Sequence, residues 1–234
     1  MKTFFDKNQS SQGLSRRNFL VRGGAGLAAA GLLFTLPSCG DDDDAPTPPQ
    51  TGDMVDLGSG DAGILNYAYA LEQLEAAFYT QVIGASNFSS IFSSDEQTIL
   101  TDLYNHEVIH REFFKAGLGS SAIIDLTVDF SSIDFNDRDS VLQTAQTFED
   151  LGVSAYNGAG MLLTDANNLL VAGKIVSVEA RHAAAIRSVF QSDAQAFAST
   201  ADANGLDPAR TPSQVLDMAS AFIVDDIDAS NLPS

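Results

Sequence analysis

Two copies of one helical pattern set the tightest limit on how this chain folds. Glu72 is followed by Glu107-Val108-Ile109-His110, and Glu149 by Glu179-Ala180-Arg181-His182. Residues i and i+3 share a helix face, so each Glu-x-x-His run aims a carboxylate and an imidazole at one point. The Glu upstream of each run adds a carboxylate from another helix. An all-α bundle of four helices brings the six groups together and can enclose two metal ions.

Helix geometry supports the convergence. The pattern predicts a first helix over 61–84 and a second over 95–117. Glu72 and Glu107 then stand equally far from the connecting turn, roughly 18 Å at about 1.5 Å per residue. A third helix over 139/140–163 and a fourth over 166–190 meet near Thr164-Asp165. There Glu149 and Glu179 lie about 15 and about 14 residues from the turn, again level.

An internal repeat runs through the same segments. Glu72-Gln73-Leu74-Glu75-Ala76-Ala77-Phe78-Tyr79 aligns with Glu149-Asp150-Leu151-Gly152-Val153-Ser154-Ala155-Tyr156, with Glu, Leu and Tyr at the same offsets. The chain holds only seven Glu and three His. By chance, two of three His would follow a Glu at this spacing about three times in a thousand. Glu75 is matched by Gly152, which favours Glu72 as the ligand and leaves Glu75 as a supplementary or alternative one.

Charge gives the physical reason for a metal. Four ionised Glu in a bundle core repel one another and lose hydration, at several kcal/mol each, unless protons or cations compensate. Two divalent ions cancel them. Carboxylates with imidazoles suit iron or manganese, and zinc less well, while the lack of Cys in these helices argues against thiolate or sulfur-cluster sites. The plain alternative is a set of helix-surface residues or a metal-free polar network.

Other residues stand beside the candidate ligands. Tyr79 and Tyr156 each follow a proposed ligand by seven residues, on the same face. Core packing with a satisfied hydroxyl is the expectation, and a bond to a carboxylate or a redox role is the sharper alternative. His106 points about 100° away from Glu107, as a surface residue or an outer partner of the site.

Glu, Glu-x-x-His, Glu, Glu-x-x-His on successive helices resembles the ferritin-like superfamily, which includes ferritins, rubrerythrins and manganese catalases. Leu65 to Tyr79 and Leu169 to Arg187, with Val178-Glu179-Ala180-Arg181-His182, most resemble the exported bacterial ferritin-like group related to plant desiccation-associated proteins. The resemblance covers about residues 58–225. It implies an antiparallel ferritin-like four-helix bundle with a dinuclear centre held by Glu72, Glu107, His110, Glu149, Glu179 and His182. In that assignment Glu72 and Glu149 are the outer carboxylates, Glu107 and Glu179 bridge, and each His supplies one nitrogen. It implies no single activity, because members of one fold carry different chemistries.

The N-terminus bears on location. Ser15-Arg16-Arg17-Asn18-Phe19-Leu20 reads as a twin-arginine export signal with Arg16 and Arg17 at its centre, followed by a short apolar run from Ala25 to Leu36. About a dozen apolar residues are too few to span a bilayer stably. Leu36-Pro37-Ser38-Cys39 resembles a lipobox, with Pro37 a departure from the usual small residue. The lone Cys39, which excludes an internal disulfide, is the expected lipidation site rather than an ordinary small core residue. Twin-arginine export carries folded proteins, which suits a cofactor loaded before translocation.

The expected organisation is thus a signal peptide over 1–38, a tether over 39–57, a bundle domain over 58–225 and a frayed end over 226–234. Asp41 to Asp44 with Pro46, Pro48 and Pro49 makes the tether extended and solvated. Without residues 1–38 the chain keeps 7 basic and 30 acidic residues, a net charge of about −23. Nucleic acid is excluded as a partner, since phosphate contact needs basic patches.

Caps and periodicity complete the reading. Asp61 is the expected cap of the first helix, and Ser94 with Gln97 the expected capping box of the second. Ser120 to Asp137 lacks helical periodicity but is apolar enough to pack, as a long crossover between the second and third helices requires. Thr211 to Ala221, with Thr211 capping and Pro212 at the first position, predicts a short C-terminal helix. The sequence therefore points to an exported, lipid-anchored bundle with a dinuclear iron or manganese centre. Redox chemistry with oxygen or peroxide, in protection against oxidative or metal stress, is the leading function. The alternative is a non-catalytic metal-binding or structural envelope lipoprotein, held to the membrane through Cys39 and delivered by the twin-arginine machinery.

Overall fold

The computed structural model of the chain describes residues 54–191 and 196–233. Arg16, Arg17, Cys39 and the acidic tether up to residue 53 lie outside the described residues. The elements are β1 (Met54–Asp56), α1 (Gly60–Gly84), α2 (Phe88–Ile91), α3 (Ser94–Leu118), α4 (Arg138–Gly160), α5 (Ala166–Gln191), α6 (Pro212–Ala219) and β2 (Asp226–Asp228). The fold is the expected all-α bundle. Short connections make α1 with α3, and α4 with α5, two antiparallel hairpins, and the hairpins pack α1 on α4 and α3 on α5.

α3 begins where local chemistry satisfies its free N–H groups. The capping box of α3 is Ser93 with Glu96, one residue before the expected Ser94 with Gln97. Glu96 wins because its carboxylate accepts from the Ser93 backbone at 2.8 Å and also from Arg138 Nε at 2.9 Å, tying α3 to the start of α4. The Gln97 amide turns instead to the Phe92 carbonyl. Asp61, expected as a cap, lies inside the first turn of α1. Its carboxylate accepts from Thr164 N, Thr164 Oγ1, Asp165 N and Asn168 Nδ2, fastening α1 to the turn between α4 and α5. Burial opposes its ionisation, yet these donors hold the group down at about 2.

The crossover between α3 and α4 covers the outer side of α1. Two side-chain amides on α1 bracket its backbone. Asn66 donates to the Ser121 carbonyl and accepts from Ile123 N, and Gln73 donates to the Ile124 carbonyl and accepts from Leu126 N. An extended segment packed on a helix has no ladder of its own, so each amide settles one donor and one acceptor that burial would otherwise strand. With the crossover on one side and the bundle on the other, α1 buries every residue from Gly63 to Ala76.

The C-terminal stretch closes over α4. Arg210 N donates to the Ser154 carbonyl, and a Cβ at Gly158 would stand 1.7 Å from the Arg210 carbonyl oxygen, so only glycine permits this approach. Thr211 caps α6 and Pro212 opens it, as expected. The end of the chain, expected to fray, instead forms β2, which pairs in parallel with β1 through Met54↔Asp226, Val55↔Ile227 and Asp56↔Asp228. β1 in turn falls within the stretch read as tether. Each strand is too short to signal itself locally and exists because the other supplies its hydrogen bonds.

Candidate metal centre

The six repeated residues converge between the two hairpins. Glu72 comes from α1, Glu107 and His110 from α3, Glu149 from α4, and Glu179 and His182 from α5. The four carboxylates are fully buried. His182 is buried too, while the His110 side chain keeps 12% of its exposure.

Their atoms fall into two sets. Glu72, Glu107, His110 and Glu179 form one, Glu107, Glu149, Glu179 and His182 the other, and within each set the donor atoms lie within 4.8 Å of one another. Glu107 and Glu179 belong to both. His110 Nδ1 stands 2.9 Å from Glu179 Oε1, 3.4 Å from Glu72 Oε2 and 3.5 Å from Glu107 Oε2. His182 Nδ1 stands 2.7 Å from Glu107 Oε1 and 3.5 Å from both Glu149 Oε2 and Glu179 Oε2. Each imidazole thus makes its shortest approach to the Glu of the other hairpin.

Close as they are, these atoms do not hydrogen-bond to one another. Glu72 Oε2, Glu149 Oε2, both oxygens of Glu107 and of Glu179, and the Nδ1 atoms of His110 and His182 are buried with no hydrogen-bond partner. Among the described residues only Tyr67 Oη and Asn168 Oδ1 share that condition. Buried polar atoms are normally paired, so eight unpaired ones aimed at two points call for a group that the protein does not supply. The donor set is hard oxygen with imidazole nitrogen, and the charge it offers is negative. Both fit divalent cations such as iron or manganese.

Without cations the charge balance falls on protons. Burial and the Glu179 charge push Glu107 up, while burial, against the pull of His182, pushes Glu149 up. Burial works against Glu179 as well, but His110 and His182 hold it below the usual carboxylate range. Burial disfavours both imidazolium ions, yet the carboxylates around His110 and His182 push them far above the ordinary histidine value. Protons and metal ions would therefore compete for the same positions.

Residues around the six shape what they present. Tyr79 Oη donates to Glu149 Oε1 at 2.5 Å, and Tyr156 Oη donates to Glu72 Oε1. Each outer carboxylate thus has one oxygen occupied and one turned toward the centre. The sequence expects these tyrosines as packed residues with satisfied hydroxyls, and both are buried and satisfied. Neither reaches the Glu of its own helix, which lies two turns or about 11 Å away along the axis. His106 Nδ1 lies 2.8 Å from His182 Nε2, the nitrogen facing away from the carboxylates. His106 is thus the outer partner that fixes which His182 nitrogen is turned inward. Glu75 is buried but belongs to neither set. Burial, followed by the charges of Glu107, Glu179, Glu149 and Glu72, pushes it well above the usual range.

The shared Glu and Tyr offsets are visible in the sequence, but the exchange of tyrosine donors between repeats is not. The mismatch of Glu75 with Gly152 is visible too, but not that the two face each other across α1 and α4.

A family model described as a ferritin-like domain matches residues 60–192, more than half of the 234-residue chain. The match opens with the first residue of α1 and closes just beyond α5. No curated protein matches the chain.

Proposed function

The chain belongs to the ferritin-like domain family, and from that premise we propose that it binds two iron or manganese ions and uses them in redox chemistry with oxygen or peroxide. The observation that carries this reading is the pair of donor sets sharing Glu107 and Glu179, with eight buried atoms that have no hydrogen-bond partner. Glu72 and His110 would complete one ion's ligands, Glu149 and His182 the other's.

The number of ligands favours chemistry over storage. With Tyr156 on one oxygen of Glu72 and Tyr79 on one oxygen of Glu149, each set offers four donor atoms: one outer oxygen, two shared carboxylates and one imidazole. Iron and manganese accept about six donors, which leaves positions for an exogenous molecule. When bound, such an ion pair supplies a two-electron exchange with oxygen or peroxide. The chain's part is to orient and to shield. Four buried carboxylates hold the ions without bulk water, the tyrosines restrain the outer carboxylates, and His106 orients His182.

We place this activity in the cell envelope, as protection against peroxide or free ferrous iron. The support is the sequence alone: Arg16 and Arg17 in a twin-arginine signal for the export machinery, and Cys39 as the lipid attachment to the membrane. A second reading, in which metal only fastens the bundle of an envelope lipoprotein, draws on the complete burial of the four carboxylates. Metal analysis of protein matured in the cytoplasm, followed by ferrous-oxidation and peroxide-consumption assays, separates the two. Two bound ions with turnover in either assay is the expected result, and two ions with neither activity leaves the fastening role.

A further inference from the structure

The bundle is hollow beside one half of the centre. About 20 Å³ there is open to the centre of a water-sized sphere, and the wall includes Leu71 from α1, Phe114 from α3, Ala155 and Ala159 from α4, and the rings of Tyr67 and Tyr156. That is room for a single small molecule. Tyr156 is the partition, since it lines the hollow while its hydroxyl holds Glu72. Leu71 directly precedes Glu72, and Phe114 stands one turn beyond His110, so the hollow adjoins the Glu72–His110 donor set.

Its wall suits an apolar occupant. A buried water needs two to four polar partners. The Tyr156 hydroxyl is committed to Glu72, and the Tyr67 hydroxyl, buried without a partner, is the other side-chain polar group among the lining residues. Water and hydrogen peroxide, which carry several donors and acceptors each, lose more hydrogen bonds on entry than this wall returns.

The internal repeat shows that the hollow is one-sided. In the alignment that pairs Glu72 with Glu149, Ala155 corresponds to Phe78, Ala159 to Val82 and Leu71 to Phe148. Around the other half of the centre, Phe78 meets both Phe148 and Tyr79 edge-on with ring centroids 5.1 Å apart, and Phe130 lies 5.9 Å from it. The space beside the Tyr79–Glu149 pair is thus filled with aromatic rings, while alanines leave the equivalent space beside Tyr156–Glu72 open. The six ligands repeat, and their apolar surroundings do not. An unfilled core space forfeits packing energy, so the hollow costs stability that the other half of the bundle shows how to recover.

Resting on the two-ion redox reading above, we infer that this hollow is a dioxygen site, which holds the gas beside the Glu72–His110 ion position and makes dioxygen rather than peroxide the oxidant that the centre takes. Dioxygen is small and apolar, needs no hydrogen-bond partner, and passes favourably from water into apolar space. The Glu149–His182 position stands behind the packed rings, so the two ion positions differ in access to the gas.

The test uses the full chain and its Ala155→Phe and Ala159→Val variants, which borrow the residues of the first repeat, with circular dichroism to verify the helices. Xenon, an apolar probe that enters dry cavities, is titrated into the metal-free proteins by xenon NMR and located in crystals under xenon pressure. It should bind the unaltered protein between Leu71, Ala155 and Tyr156, and Ala155→Phe should abolish that binding. With ferrous iron loaded anaerobically, the dioxygen concentration for half-maximal oxidation should rise about tenfold in Ala155→Phe, while the rate with added hydrogen peroxide changes less than about twofold. Ala159→Val, the smaller change, should shift both xenon and dioxygen in the same direction and keeps the test intact where the phenyl ring prevents folding. Absence of xenon from the hollow, or equal slowing with both oxidants, would overturn the proposal. Xenon in the hollow with no iron oxidation by either oxidant would instead overturn the redox reading on which the dioxygen assignment rests.

Discussion

Tyr79 on α1 donates its hydroxyl at 2.5 Å to Glu149 on α4, and the matching pair, Tyr156 and Glu72, returns the bond in the opposite direction. Each repeat thereby holds the outer carboxylate of the other. The centre is braced by contacts between the hairpins, and neither hairpin can build it alone.

Tyr79→Phe should therefore cost more in the empty protein than in the loaded one. Without metal, removing the donor strands a buried Glu149 oxygen, at about 1–3 kcal/mol. With metal, the freed oxygen gains a cation beside it. Urea unfolding of both proteins with and without manganese measures the difference, and an equal cost in both states contradicts the bracing role.

Glu107 and Glu179 are the carboxylates common to both donor sets. Replacing both by Ala should abolish two-ion binding while far-UV circular dichroism stays close to that of the original protein. Unchanged metal stoichiometry would contradict the assignment.

Loading should become tighter as pH rises. Burial and the Glu179 charge raise Glu107 to about 8, burial raises Glu149, and the surrounding carboxylates raise His110 and His182, so cations entering the centre compete with protons. Cations must displace them. Calorimetric titration with manganese between about pH 6 and about pH 8 should show proton release and rising affinity. Chelation should correspondingly lower the thermal midpoint.

Asp61 offers a prediction independent of metal. Its pKa falls from 3.8 to about 2 on folding, so its contribution is complete above the ordinary carboxylate range and disappears as pH falls toward 2. Asp61→Asn should cost about 1 kcal/mol at neutral pH, a modest figure because the group is largely solvated. The deficit should shrink on acidification, and a deficit that persists at pH 2 would locate the effect in packing.

Sequence alone determined the helices and the six converging side chains, with the repeat that pairs them. That information is local: i, i+3 spacing and helical periodicity act within a few turns, and the level placement of Glu72 with Glu107 follows from counting residues to a turn. Where two caps compete within one turn, as Ser93 with Glu96 against Ser94 with Gln97, local chemistry is too evenly balanced, and Arg138 on another helix decides. Only the tertiary structure decided which outer carboxylate each tyrosine holds, that Gly152 faces Glu75, and that residues 226–228 pair with residues 54–56. Each of these depends on the register between segments far apart in the chain, and a register is set by packing and hydrogen bonds that exist only once both partners are in place.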